Sequence, residues 1–322
     1  DYVLTVDASG EAGWEAAGGG GASDIDGLSD ALTNSSGGTV GLGTGALAAD
    51  DGSANLNTAL GFDALNDVVT GSRNTAVGHS AGSKVTSGNN TFVGERAGQL
   101  VSTGSENTAV GGAAMISAVT GNGNSAFGYG ALGGGSGTSM GENVGVGYAA
   151  GYRVTTGDGN TIVGYDNGAT NLLTTGSNNL VLGNMTSTSS ATVSNEITLG
   201  NASIATLRCQ VTSITALSDR RDKKDIVPLE LGLDFINSLN PVKFTWHTRD
   251  GAKVGQQEAG FIAQELDEAQ IAAGAESYLD IVLKENLDKL EAAPGKLIPV
   301  LVKAIQDLSA EVATLKEQIN GS

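Results

Sequence analysis

Between residues 38 and 200 the polar and apolar positions recur in a fixed order rather than with a helical period. An asparagine opens each unit, a short alternating stretch follows, and a glycine closes it, as in Asn57-Thr58-Ala59-Leu60-Gly61. Further copies start at Asn74, Asn90, Asn107, Asn124, Asn143, Asn160, Asn179 and finally Glu196, with successive spacings of 17, 16, 17, 17, 19, 17, 19 and 17 residues. A turn precedes each strand (Thr70-Gly71-Ser72-Arg73, Thr103-Gly104-Ser105-Glu106), and a second half often reads Gly-x-x-Ala-Gly, as at Gly78 to Gly82, Gly94 to Gly98 and Gly147 to Gly151. The pattern predicts strands with apolar residues inward and small polar residues outward. Glycine and asparagine at the corners accept the positive φ of tight turns. Two short strands and two turns per period describe one coil of a parallel β-solenoid. A single coil cannot bury its own apolar face, so the copies must stack. Stacking aligns the asparagines in one row, where their amides can bond one another or cap the turns.

Beyond residue 217 the patterning changes. Leu231, Leu233, Phe235, Ile236 and Leu239 predict a short helix ending before Pro241. Val242, Phe244 and Trp246 alternate as a half-buried strand does, and a second helix is predicted near Gln264 to Ala273. Ile298, Leu301, Ile305, Leu308, Val312, Leu315 and Ile319 are spaced alternately by three and four, a heptad seam that predicts a coiled coil. Lys303, Asp307, Glu311, Lys316 and Glu317 lie off that seam. Branched residues at one seam position with leucine at the other favour two strands by rule.

The fold class is therefore mainly β with an α C-terminal part. The expected domains are a connector over 1–37, the solenoid over 38–205, a linker over 206–217 and a C-terminal domain over 218–322. Within the connector the Gly18 to Gly21 run reads as flexible linker, with Trp14 available to dock upstream.

Composition narrows the function. Of 322 residues 49 are glycine and only 4% are aromatic, so the core of the repeat is thin. A net charge of -18 repels phosphate backbones and argues against nucleic-acid binding. The single cysteine, Cys209, excludes an intrachain disulfide and a cysteine metal cage, and is expected to be a small buried group. No apolar run is long enough to span a bilayer, so no membrane insertion is expected. The chain opens at Asp1, not methionine, and is expected to be part of something longer. His79 and His247 have no metal-ligand spacing, the turn acids Glu106, Asp158 and Asp166 form no recurrent calcium motif, and no metal or cofactor is expected.

The Asn-Thr-Ala-Val-Gly unit with its Gly-x-x-Ala-Gly partner resembles the repeats of trimeric autotransporter adhesin heads and of several bacteriophage tail fibres, over about Gly38 to Gly200. This resemblance implies a left-handed β-roll with three chains side by side. Such wrapping would cover what one thin coil leaves open.

A second resemblance begins where the repeat has ended. Ser218-Asp219-x-Arg221-x-Lys223, the Gly-Phe-Ile-Ala-Gln-Glu run from Gly260 to Glu265, and the stretch from Leu297 to Gln306 are similar, in that order, to the C-terminal intramolecular chaperone family of phage tailspikes and fibres, the endosialidase type. Family members assist trimer assembly and then cut themselves off with a Ser-Lys dyad. The resemblance implies Ser218 as nucleophile, Lys223 as general base and Leu217–Ser218 as the scissile bond. It also tips the terminal coiled coil from two strands to three. A serine hydroxyl is a weak nucleophile until a neighbour takes its proton. A lysine does so only when neutral, which requires burial or nearby positive charge. Arg220, Arg221 and Lys224 supply charge, and assembly would supply burial. The family usually has an apolar residue before the lysine. Here Asp222 stands there and would hold the ammonium charged, which leaves Lys224 as a rival base. Without the other motifs, Ser-Asp before a basic cluster also reads as an ordinary surface turn.

The expected protein is a structural, homotrimeric tail fibre or tailspike segment of a virion, made in the host cytoplasm, with a self-cleaving chaperone that acts once. Its expected partner is a host cell-surface receptor, a glycan, met by the solenoid or by another domain. The alternatives are a glycan-degrading tailspike, which needs paired carboxylates and aromatic platforms in which the repeat is poor, and a bacterial trimeric adhesin, which needs an anchoring barrel after the coiled coil.

Overall fold

The computed structural model describes residues 2–6, 12–16, 31–34, 38–51, 55–118, 120–134, 139–166, 173–204, 206–210, 214–249, 251 and 253–321. The expected Gly18 to Gly21 linker lies outside these residues, as does any side-chain docking of Trp14. The chain divides into two compact units, Asp1–Asn201 and Ala202–Ser322.

In the first unit β1 (Tyr2–Val6) and β2 (Ala12–Ala16) form an antiparallel pair. A separate sheet starts with β3 (Ala31–Asn34), antiparallel to β4 (Thr39–Leu42). From β4 onward each strand lies parallel on the next: β5 (Thr58–Leu60), β6 (Thr75–Val77), β7 (Thr91–Val93), β8 (Thr108–Val110), β9 (Ser125–Phe127), β10 (Val144–Val146), β11 (Thr161–Val163), β12 (Leu180–Leu182) and β13 (Ile197–Leu199). This is a β-solenoid of about nine turns.

Two details differ from the sequence expectation. First, each coil carries one strand, not two. The second half forms tight turns, with carbonyls of one coil accepting from amides of the next, as in Leu65 N–H to Ala81 O (3.0 Å) and Met115 N–H to Ala131 O (2.9 Å). Leu47, Leu65, Met115 and Leu132 sit there at φ between 47° and 53°, which no strand accommodates. Second, the outward face is not uniformly polar. In each strand the middle residue points in and the third points out, so Leu60, Val77, Val93, Val110, Phe127, Val146, Val163, Leu182 and Leu199 make one outward apolar column. With period two, the short polar residue faces outward at only the first of the three positions.

The thin core is filled by compensation between the strand and the turn. Where the strand offers Ala59, Ala109, Ala126 or Gly145, the turn supplies Leu65, Met115 or Leu132, all fully buried. Where the strand carries Phe92, the turns carry Gly82 and Gly98. A Cβ on Gly82 would lie 2.7 Å from the Phe92 ring, and one on Gly98 would lie 2.2 Å from it. A left-handed leucine costs on the order of 1–2 kcal/mol, and its burial returns about 1.5–3 kcal/mol.

The asparagine row is a continuous buried ladder. Asn107 donates from N (3.0 Å) and Nδ2 (3.2 Å) to Asn90 Oδ1, and Nδ2 also donates to Gly121 O (2.7 Å). Asn124, Asn143, Asn160 and Asn179 repeat this on the residue before them. Glu196 N donates to Asn179 Oδ1 (2.9 Å) and closes the ladder, its carboxylate holding the amide and hydroxyl of Ser189.

In the second unit α1 (Leu233–Ser238), the hairpin β14 (Val242–Thr245) with β15 (Gln257–Gly260), α2 (Ala263–Ala272) and α3 (Glu276–Leu279) precede a small pair, β16 (Val282–Leu283) and β17 (Glu291–Ala292). The 23-residue α4 (Ile298–Asn320) follows. Leu297, just before it, and Val300 in its first turn close the core against Phe235, Leu266, Ala275, Leu279 and Ile281. Asp307 on α4 accepts from Leu233 N, and Lys303 donates to the same carboxylate. Seam residues Ile298, Leu301, Ile305, Leu308, Val312, Leu315 and Ile319 are all exposed, between 40% and 73%. Cys209 is exposed rather than buried, because the strand-free residues 206–210 pack on nothing described.

Asn124→Ala strips Asn143 N and Met140 O of buried partners. Denaturant unfolding is expected to show a loss of about 2–4 kcal/mol. Phe92→Ala leaves a cavity that Gly82 and Gly98 cannot fill, and should cost about 3–5 kcal/mol in the same assay.

Candidate active site

Residues 214–217, within the second unit, form no regular element and are exposed, and Leu217 is 82% accessible. A single 3₁₀ turn, Arg220–Asp222, follows Ser218, with Asp219 as its cap. Asp219 Oδ1 accepts from Arg221 N (2.8 Å), and its carboxylate also holds the Arg221 guanidinium at 2.6 Å. Asp222 N and Lys223 N donate to the carbonyls of Asp219 and Arg220, both at 3.2 Å. Lys223 returns to extended backbone. One closed turn between two extended residues thus brings positions 218 and 223 together, and Lys223 Nζ lies 2.7 Å from Ser218 Oγ.

The charges around this contact are partitioned. Asp219 is engaged by Arg221. Its carboxyl is held below the usual carboxylate range by the side-chain bond to Arg221 and then by the Arg221 backbone N–H. The Arg221 guanidinium is raised by the same side-chain bond. Among the described residues Asp222 pairs with neither Lys223 nor Lys224, so the carboxylate expected beside the lysine does not contact its ammonium. Lys224 makes no hydrogen bond to Ser218. In the single chain Ser218, Lys223 and Lys224 are all exposed. The contact has the form of a nucleophile beside a proton acceptor, directly after an accessible peptide bond.

Some surface chemistry was not legible beforehand. The residue after each strand-closing glycine forms its own outward column. Tyr129, Tyr148 and Tyr165 stack there at 5.6 and 5.1 Å between ring centroids, and Phe62 stacks on His79 at 5.4 Å. The signal was present as Gly-Tyr at residues 128–129, 147–148 and 164–165, but only coil stacking turns that spacing into contact. No group of His, Cys, Asp or Glu among the described residues is arranged to hold a metal ion. No helix among them is long and apolar enough to cross a membrane.

Asp219 gains its partner on folding, so its contribution to the turn is present above the ordinary carboxylate range and lost as pH falls through its lowered folded value. Carbon-detected NMR titration should place its midpoint below 3.8, the ordinary value, and Arg221→Ala should raise it toward that value, with the backbone N–H of residue 221 keeping the smaller part of the effect.

Comparison with known families matches residues 218–275 to the family described as the chaperone of endosialidase. The match starts at Ser218 itself and ends before α4, so the motif from Leu297 to Gln306 lies outside it. No curated protein and no solved structure matches the chain. By its designation the family is one of peptidases. Residues 218–275 thus match the chaperone-of-endosialidase family, and this match behind a β-solenoid supports the organisation of an endosialidase-type tail fibre with a C-terminal chaperone.

Proposed function

We propose that this protein is a homotrimeric phage tail fibre or tailspike segment whose C-terminal domain, 218–322, drives assembly and then severs itself at Leu217–Ser218. The observation that carries the self-cleavage is the 2.7 Å approach of Lys223 Nζ to Ser218 Oγ, beside an exposed peptide bond. Ser218 Oγ attacks the Leu217 carbonyl carbon as neutral Lys223 takes the hydroxyl proton. The C–N bond breaks, the amine of Ser218 leaves with a proton, and an ester joins Leu217 to Oγ. Water then hydrolyses the ester, leaving a carboxylate at Leu217 and a free Ser218 N-terminus. Each chain cuts once.

Assembly is supported by what one chain leaves open. The seam of α4 is exposed along its whole length, and burying such side chains is worth about 1.5–3 kcal/mol each. The outward apolar column of the solenoid repeats at every coil and suits a parallel copy. Burial on assembly favours the neutral form of Lys223, which delays cutting until folding is complete. The stacked tyrosines supply an aromatic surface suited to sugar rings, which favours a glycan receptor on the host surface. The approach to Ser218 that Lys223 makes favours Lys223 over Lys224 as the base.

A denaturing gel of freshly expressed protein is expected to show a large fragment ending near residue 217 and a small one of about one hundred residues, with mass spectrometry placing the new N-terminus at Ser218. Ser218→Ala is expected to remain whole. Lys223→Met should slow cutting at least 100-fold, on the scale of general-base loss, whereas Lys224→Met should change it less than threefold. Equal loss in both lysine variants would remove Lys223 from the role of base.

A further inference from the structure

Between α1 and α2 the second unit has an open groove of about 780 Å³. Phe235, Phe261 and Leu266 give it an apolar floor, and Glu230, Asp234 and Glu268 stand along it. Among the described residues none of these three carboxylates pairs with a cation. Residues 217–228 form the opposite kind of surface. Arg220, Arg221, Lys223 and Lys224 place four of the 17 cations of the chain within five residues, while no five-residue stretch elsewhere holds more than two. Arg221 is held by Asp219 and Lys223 by Ser218, but Arg220 and Lys224 pair with no carboxylate among the described residues. Ile226 and Val227, just beyond, are 53% and 78% exposed.

Two cations and two apolar side chains without partners thus match a groove with unpaired carboxylates and an apolar floor. The chain's own segment does not line the groove. Leu229 and Leu231 are packed against the core, which anchors the chain at the groove's edge. Pro228 keeps Val227 out of the helical region, so the segment leaves that edge instead of doubling back.

We propose that the groove holds residues 217–227 of a second copy of this chain. Arg220 and Lys224 meet the carboxylates of Glu230, Asp234 and Glu268, and Ile226 and Val227 cover the apolar floor. This rests on the assembly proposed above and names the surface through which it reaches the scissile bond. The two flanking cations engage the carboxylates, so Lys223 loses water without gaining a pairing anion. The dyad of one chain is therefore completed by the groove of its neighbour.

The test is a cysteine pair, Val227→Cys with Ala272→Cys, in full-length protein that also carries Ser218→Ala and Cys209→Ser. Both new positions are exposed, and Ala272 lines the groove. After mild oxidation a non-reducing gel should show most of the protein as interchain-linked species. Adding Asp234→Arg and Glu268→Arg should cut that yield at least tenfold, and further adding Arg220→Glu and Lys224→Glu should restore it. Light scattering on the same samples gives the number of chains per particle. Assembled particles with only intrachain links, or with none, overturn this inference and leave the assembly reading intact. Particles of one chain overturn both.

Discussion

The buried amide ladder is the constraint on which the solenoid depends. Each coil must turn a tight corner, and the turn carbonyl at that corner is removed from water. A side chain with two donors and an acceptor that accepts twice satisfies the corner and passes one bond on to the next coil. Asn90 to Asn179 do this without a break, and Glu196 closes the row with its backbone N–H. At the opposite end Thr39, the first residue of β4, stands in step with Asn57 before β5, and its buried Oγ1 has no partner among the described residues. Parallel strands of three residues would be weakly specified alone, since a slip by two keeps the same face inward. A column of identical amides makes every other register costly, because an unmatched rung leaves buried donors unpaired.

That register places everything else on the coil. It aligns the inward alanines into a core that only works because large turn residues lie against small strand residues, with the Phe92 rung reversing the arrangement. It also aligns what faces outward. Side chains 16 to 19 residues apart become neighbours, which is how three tyrosines form one stack and how the third strand position becomes an apolar column. These surfaces are produced by the ladder, yet they do nothing for the stability of a single chain. The exposed seam on α4 is the same kind of feature in the second unit. Large apolar area left open in both units agrees with a chain meant to be completed by its own copies.

The site at the start of the family match is a local structure. Ser218, Asp219, Arg221 and Lys223 lie within six residues, and one capped turn sets their positions. This is why the contact of Ser218 with a nearby lysine could be expected from the sequence, through the resemblance it carries, and why the choice between Lys223 and Lys224 could not. Adjacent residues in a turn diverge in direction, and only the backbone path through Asp219 and Arg220 decides which one comes back. Asp222 makes no contact with the Lys223 ammonium for the same reason, since nearness in sequence did not become contact. The buried place expected for Cys209 failed differently. Its residue type favours burial, but its neighbours supply no element for it to pack beneath.

The sequence by itself determined the period, the asparagine row, the helix with its heptad seam and the segment in which Ser218 meets Lys223. Each of these is written in spacing along one strand or one turn, where covalent geometry leaves few alternatives. The tertiary structure alone decided which strand positions face outward as an apolar column, that each coil has one strand, that aromatic residues stack across coils, and that acidic α1 and α2 enclose a groove. Those features arise between residues distant in the chain, where packing volume and hydrogen-bond satisfaction choose among arrangements that the local pattern permits equally.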